Sequence, residues 1–242
     1  MSDSMEIRLA GVRERIAAAC ARAGRSPDEV VLLPVSKTFG PDSIRSAMAL
    51  GLTRFGENKT QEIRQKAQEF GAADLAWVMI GHLQTNKAKE AARLVAEVQS
   101  LDRLSLAREL DQRLQQEGRA IDVLIQVKTS AEPSKFGLPA EELPEFLKQL
   151  AAFDCLRVRG LMTLAVNSAD EMAVRMCFRT LRLWRDRLRA DGAAGLTRLS
   201  MGMSGDFEWA IEEGSTEIRV GSAIFGHRTY ANAAAQEGSP VC

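Results

Sequence analysis

Apolar positions along the chain switch between two periods. Residues 5–23 carry Met5, Leu9, Val12, Ile16 and Ala19 three or four apart, the spacing of one buried helix face, and Gly24 stops the run. VVLLPVS (30–36) is a continuous, β-branched apolar run, which predicts a strand buried on both faces. Gly40-Pro41 follows. Proline suits a first helical position, so 41–50 reads as a helix. The alternation then recurs, with strands at 53–56, 76–80, 95–100, 121–127, 156–163, 197–201 and 217–220. Between them fall helices at 59–70, 85–92, 103–117, about 140–152 and 206–213, and a last helix follows the final strand. Ser168-x-x-Glu171 has the form of a capping box opening a further helix, which turns Val174, Phe178, Leu181 and Leu188 inward. In LRLWRDRLRAD (181–191) the charges read as a solvated face, with the Leu and Trp residues inward.

Eight strand–helix units after one extra N-terminal helix predict a single α/β domain, a (β/α)8 TIM barrel over residues 1–230. A doubly wound open sheet is the alternative, but the first strand is not followed by its Gly-x-Gly-x-x-Gly turn. Residues 231–242 read as a disordered tail.

Composition narrows the partners. The chain has 242 residues, 45% hydrophobic and 26% charged, which excludes disordered and low-complexity classes. Lys plus Arg is 32 and Asp plus Glu is 32, so no basic field favours nucleic acid. The apolar run Leu75–Ile80 is about six residues against the ~20 of a membrane helix. Cys20, Cys155, Cys177 and Cys242 form no Cys-x-x-Cys pair and read as reduced, mostly buried thiols of a cytoplasmic protein. His82 and His227 match no zinc spacing. The opening MSDSMEIRLAGVRERI reads as an amphipathic helix and not as a targeting segment.

In a TIM barrel the chemistry sits at the C-terminal strand ends. Lys37 follows strand 1, Glu57 and Asn58 follow strand 2, and His82 and Gln84 follow strand 3. Ser204-Gly205 follow strand 7, and Arg219, Gly221 and Ser222 close strand 8. A lysine at an apolar mouth is desolvated, which frees its amine for Schiff-base chemistry with an aldehyde; the alternative is a snorkelling lysine with its ammonium in water. The loops after strands 7 and 8 are the usual phosphate site of this fold, and Ser204-Gly205 and Gly221-Ser222 would offer backbone N–H groups there. Both serines would equally serve as helix caps. An aldehyde and a phosphate on one ligand suggest pyridoxal 5′-phosphate or a sugar phosphate. His82 is either an acid–base group or a hydrogen-bonded structural residue, Glu57 a partner that orients backbone, and Met201 and Met203 packing residues.

Six stretches carry a resemblance: LLPVSKT (32–38), FGENKTQE (55–62), IGHLQTNK (80–87), QVKTSAEPSKFGL (126–138), RGLMTL (159–164) and the long run LSMGMSGDFEWAIEEGSTEIRVGSAIFG (199–226). In this order they resemble the pyridoxal 5′-phosphate homeostasis protein family, small relatives of the alanine racemase barrel (fold type III among enzymes that use this cofactor). The resemblance implies pyridoxal 5′-phosphate as cofactor, held as an internal aldimine on Lys37. It implies that Ser204, Gly221 and Ser222 hold the phosphate, that Arg219 faces the pyridine nitrogen, and that Asn58 lies beside the ring. An arginine there disfavours protonation of that nitrogen and weakens the ring as an electron sink. The implied role is a monomeric cytoplasmic carrier in vitamin B6 and amino-acid homeostasis, with apo-enzymes that use the cofactor as recipients. Lys59, Val78 and Lys128 depart from the family's usual residues at the pocket rim. The alternative is an amino-acid racemase, but two-base racemases of this kind take a tyrosine from a second domain. The sole tyrosine, Tyr230, lies beyond the last strand, and His82 is a weak substitute. A sugar-phosphate aldolase using Lys37 is a third reading, and it would be colourless.

Overall fold

The computed structural model describes residues 4–71, 73–130, 132 and 135–226; the expected tail lies outside them. Helix α1 (Met5–Arg22) precedes β1 (Val31–Pro34), and α2 (Pro41–Ala49), β2 (Arg54–Glu57), α3 (Thr60–Phe70) and β3 (Ala76–Met79) follow. Next come α4 (Ala88–Leu94), β4 (Glu97–Leu101), α5 (Leu104–Gln116), β5 (Ile121–Lys128) and the two-residue β6 (Leu138–Pro139). The chain continues through α6 (Leu143–Leu150), β7 (Leu156–Met162), α7 (Glu171–Ala190), β8 (Arg198–Met203), α8 (Phe207–Glu212), β9 (Glu217–Val220) and α9 (Ser222–Phe225). Every strand pairing is parallel, in the order β1-β9-β8-β7-β5-β4-β3-β2, with β6 attached to β5 outside that path. A bridge between Val35 and Gly56, with Ser36 N–H donating to Gly56 O at 3.1 Å, joins β1 to β2. The eight strands therefore form the expected (β/α)8 barrel, with α1 as the extra helix.

Helix α1 buries Leu9, Val12, Ile16 and Ala19, as its spacing predicts, and adds Cys20. It packs on α8 and α9 and is tied to them by Arg15–Glu208 and Arg22–Glu212 ion pairs and by Arg8 Nε donating to Ile224 O. The N-terminal helix thus braces the last two β/α units, where the anion-binding turns were expected. Pro41 opens α2 as expected.

Local details differ from the sequence reading. Strand β1 is shorter than 30–36, and Val31 is half-exposed because it sits at the strand's outer start. The capping box at Ser168 does not form: Asp170 caps α7, accepting from Met172 N and Ala173 N, while Ser168 Oγ accepts from Asp170 N. An Asp one residue before the helix reaches two free N–H groups that Ser168 cannot. In α7, Val174, Phe178, Leu181 and Leu188 are buried, but Leu183 faces solvent. Strand β6 was not foreseen in the polar stretch before α6.

A TIM barrel interior is ordinarily filled by branched aliphatic residues. Here a polar column replaces part of that filling. At the strand starts, Arg54 and Arg198 both bridge Glu97 and Glu217 with N–O distances of 2.7–2.8 Å. Gln99 Nε2 donates to Glu97 Oε1 and to Glu217, and Gln99 Oε1 accepts from Ser200 Oγ at 2.7 Å. Arg219 Nη1 donates to Ser200 Oγ at 2.7 Å, and its Nη2 donates to Thr163 O at 2.7 Å. Burial alone would raise the Glu217 carboxyl, but the Arg54 and Arg198 guanidiniums outweigh it and hold it below the usual carboxylate range.

Close approach fixes one glycine at the mouth. A Cβ on Gly81 would lie 2.3 Å from Asn58 O, so the turn after β3 can pack on the β2 end only without a side chain.

Two outcomes follow from this packing. Glu217→Gln leaves two guanidiniums short of a countercharge and is expected to lower unfolding stability by about 3 kcal/mol. Because the folded carboxyl is held low, that difference should be largest above the unfolded carboxylate range (about pH 4.3) and shrink on acidification. Urea titrations at neutral and acidic pH check both the size and the sign. Gly81→Ala should cost about 1–3 kcal/mol by overpacking, read from thermal unfolding.

Candidate functional site

The parallel barrel collects its C-terminal strand ends around one cavity of about 810 Å³. Lys37, Asn58, Ser204, Arg219, Gly221 and Ser222 all line it. The structure therefore brings together every residue that the sequence singled out for a cofactor. His82 also lines the cavity, whereas Glu57 and Gln84 do not.

Lys37 is presented by a tight turn. Phe39 N–H donates to Ser36 O at 3.0 Å, and Thr38 has φ 68°. With Thr38 the only non-glycine residue at positive φ among those described, this is a type II turn with Lys37 at its first corner. That second corner normally takes glycine, and a β-branched residue there is strained by about 1–3 kcal/mol. Thr38 N–H donates to Glu62 Oε2 at 2.8 Å, and Phe39 stacks on Phe225 with ring centroids 5.0 Å apart.

Behind the turn lies a buried polar cluster. Ser36 Oγ donates to Glu57 Oε1 at 2.5 Å, and Lys66 Nζ donates to Glu57 Oε1 at 2.5 Å and to Ser36 O at 2.8 Å. Burial pushes the Glu57 carboxyl above its ordinary range, and Lys66 and Ser36 offset this only in part. Among the described residues, the Glu57 carboxylate bonds the Ser36 and Lys66 side chains and no backbone group directly; Lys66 makes the backbone contact, to Ser36 O.

Next to it along the barrel rim, the turns after β8 and β9 meet. Gly221 N–H donates to Ser204 Oγ at 3.3 Å. Helix α8 begins at Phe207, and neither Ser204 nor Ser222 caps a helix. The capping alternative fails for Ser204 because Asp206 takes the N-cap of α8, its Oδ1 accepting from Met203 N at 2.6 Å, and for Ser222 because it is the first residue of α9, after Gly221 at the N-cap. Among the described residues, the N–H groups of Gly205 and Ser222 have no acceptor, so this corner holds neutral donors ready for an anion. A Cβ on Gly221 would lie 3.1 Å from Val35 O, which keeps this turn tight against β1.

The cavity wall also contains the one charge of the polar column that reaches it. Arg219 is 3% exposed, and burial lowers its pKa to about 10, with Glu217 and Asp206 acting in the opposite direction. It therefore stays a cation at neutral pH. Both of its hydrogen-bonded nitrogens are anchored by the barrel, so its charge has a fixed position. His82 stacks on Phe136, with centroids 3.8 Å apart, and its buried Nδ1 makes no hydrogen bond, lying 3.6 Å from Asp102 Oδ2. That is packing geometry.

The sequence reading did not place Gln126, Lys135, Asn167, Ser168 or Asp206 on the cavity wall. Lys135 Nζ donates to Ala165 O and pairs with Glu132 at 3.1 Å. Asp206, two residues past Ser204 in the same turn, was legible by proximity; burial pushes its carboxyl up. Met203, expected to pack, is 40% exposed and lines the cavity, while Met201 is fully buried. Among the described residues, no group of His, Cys, Asp or Glu is arranged to hold a metal, and no helix is long and apolar enough to cross a membrane.

An amine on a constrained turn, a neutral anion corner and a pinned guanidinium around one cavity suit a small ligand with an aldehyde, a phosphate and a ring nitrogen. Known proteins fit this pattern. The family described as alanine racemase, N-terminal domain, matches residues 7–229. The pyridoxal phosphate homeostasis protein of Aquifex aeolicus is 43% identical over 223 residues, 92% of this chain and 98% of its own. That of Escherichia coli K12 is 42% identical over 232 residues, 92% of this chain and 96% of its own. The structure of PipY from Synechococcus elongatus with pyridoxal phosphate bound superposes with a TM-score of 0.78 at 35% identity, covering 89% of this chain and 100% of that one. An alanine racemase of Clostridium difficile shares the fold, with a TM-score of 0.75 at 13% identity, over 93% of this chain and 57% of that one. Matched over nearly its whole described length, this chain belongs to the pyridoxal phosphate homeostasis protein family, on the alanine racemase N-terminal domain fold.

Proposed function

We propose that this protein binds pyridoxal 5′-phosphate in the cavity and holds it covalently on Lys37, as a carrier and buffer of the cofactor. The observation that carries the reading is the single cavity shared by Lys37, the Ser204–Gly221–Ser222 corner and Arg219. The bound relative and the relatives' shared name support it. When bound, the cofactor supplies an aldehyde for an amine and a ring that withdraws electrons. Lys37 would supply the amine that takes up the aldehyde, water leaving. Ser204, Ser222 and the adjacent N–H groups would hold the phosphate by neutral hydrogen bonds. Asn58 would contact the ring. Arg219, already charged, would face the pyridine nitrogen, disfavour its protonation and restrain carbanion chemistry.

The carrier reading extends to a monomer in the cytoplasm that passes the cofactor to apo-enzymes and so influences amino-acid balance. A racemase needs a base on each face of its substrate, and Lys37 serves one. The described cavity wall adds His82, packed on Phe136 with no hydrogen bond at Nδ1, Lys135, paired with Glu132 and donating to Ala165 O, and Asp206, whose Oδ1 accepts from Met203 N. Likeness to alanine racemases at 13% identity speaks for fold alone.

Protein loaded with pyridoxal 5′-phosphate should be yellow, and Lys37→Ala should lose the visible band while its thermal unfolding stays close to wild type. A band retained in Lys37→Ala sinks the covalent assignment. Ser204→Ala should weaken cofactor binding by about 1–2 kcal/mol, the scale of a hydrogen bond to a charged group, measured by titration. In deuterated buffer, L-alanine should not exchange its α-proton at the ordinary enzyme rate of ~1–1,000 s⁻¹. Exchange at that rate, lost in Lys37→Ala, would establish the racemase instead.

A further inference from the structure

The barrel-facing stripe of α3 is formed by Thr60, Ile63 and Lys66, spaced three apart. An apolar residue would suit the third position, yet a lysine only 6% exposed occupies it. Burying an ammonium is costly, and well-packed apolar residues commonly replace such a group without loss of stability. Packing alone therefore does not account for Lys66. Its partners point to a local task. Its Nζ donates to Ser36 O, the residue just before Lys37, and to Glu57 Oε1, which also accepts from Ser36 Oγ. On the other side of Lys37, Thr38 N–H is held by Glu62 Oε2, one turn before Lys66 on α3 and 3.9 Å from its Nζ. Both chain neighbours of Lys37 are thus fastened to one helix, across a turn whose second corner is strained by Thr38 at φ 68°. Strained backbone persists only where surrounding groups over-determine it. None of Glu57, Glu62 and Lys66 lines the cavity.

We infer that Lys66, with Glu57 and Glu62, is a positioning residue for Lys37: the cluster holds the strained Ser36–Phe39 turn so that the Lys37 amine is presented to the ligand's aldehyde. This rests on the covalent reading given above. Removing Lys66 takes one of two donors from the Ser36 carbonyl, leaving Phe39 N–H alone, and leaves Glu57 without its countercharge, so the turn relaxes and Lys37 loses its fixed start point. The phosphate corner lies on the neighbouring strand ends but takes no hydrogen bond from Lys66, Glu57 or Glu62, so its donors keep their places.

The test separates the amine from the rest of the cavity by using two ligands. Pyridoxal 5′-phosphate needs both; pyridoxine 5′-phosphate keeps the ring and phosphate but has no aldehyde. Lys66→Met is expected to weaken binding of the aldehyde about tenfold, the scale of one lost charge-assisted hydrogen bond, and to leave the alcohol's affinity within about twofold of wild type. Adding Thr38→Gly, which relieves the turn, should restore part of the aldehyde affinity. Equal weakening of both ligands, or no change in either, would overturn the inference and leave Lys66 a purely structural residue. If Lys66→Met does not fold, Glu62→Ala, at a partly exposed position, is expected to show the same split between ligands and is read the same way. Wild-type protein serves as the control: if it binds the aldehyde no more tightly than the alcohol, the covalent reading itself fails and the positioning role falls with it.

Discussion

A guanidinium buried at the cavity wall is the constraint around which the barrel interior is arranged. Arg219 cannot be left unpaired in a low-dielectric core, where an unpartnered charge costs several kcal/mol. Ser200 and the Thr163 carbonyl take its two hydrogen bonds. Ser200 in turn needs Gln99, Gln99 needs Glu97 and Glu217, and those carboxylates need Arg54 and Arg198. Each step satisfies the last, and the column ends where Arg54 and Arg198 reach the partly exposed strand starts. Fixing one cation at the cavity wall thus required polar residues on strands β2, β4, β8 and β9. The column exists only because the barrel closes and brings these strands face to face.

Closure also builds the mouth. Strands β1 and β9 are neighbours in space though they are the first and last of the barrel, so the Lys37 turn and the Gly221 turn lie on adjacent strand ends. Helix α1 reinforces that seam by binding α8 and α9. The Lys37 turn and the Ser204–Ser222 corner are therefore held by different segments that the topology joins. An alanine racemase shares this barrel over 57% of its chain at 13% identity, a likeness of fold alone.

Much of this was legible in the sequence, because buried parallel strands and amphipathic helices leave two clear periods. The six residues singled out for a cofactor all fall at strand ends, and closure alone brings strand ends around one cavity. The polar column was not legible. Arg54, Glu97, Arg198 and Glu217 stand at strand starts, where a charge ordinarily means solvent, and their pairing spans up to 163 residues of sequence. Lys66 was hidden for a similar reason: in TQEIRQKAQEF it is one polar residue among many, and only the register of α3 on the barrel turns it inward. Ser204 and Ser222 read as caps because serine before a helix usually is one; the structure gives that turn to Asp206 and leaves the hydroxyls for other work. The strain at Thr38 had no sequence signal, since nothing local announces a β-branched residue at a glycine corner.

The claim that binds these features together is that Lys37 carries the cofactor. Borohydride reduction of the protein loaded with pyridoxal 5′-phosphate fixes any imine as a stable amine, and peptide mapping then locates it. The account predicts one major labelled peptide, with the cofactor on Lys37. Label on Lys135, the other lysine of the cavity wall, or no covalent label at all, would contradict it.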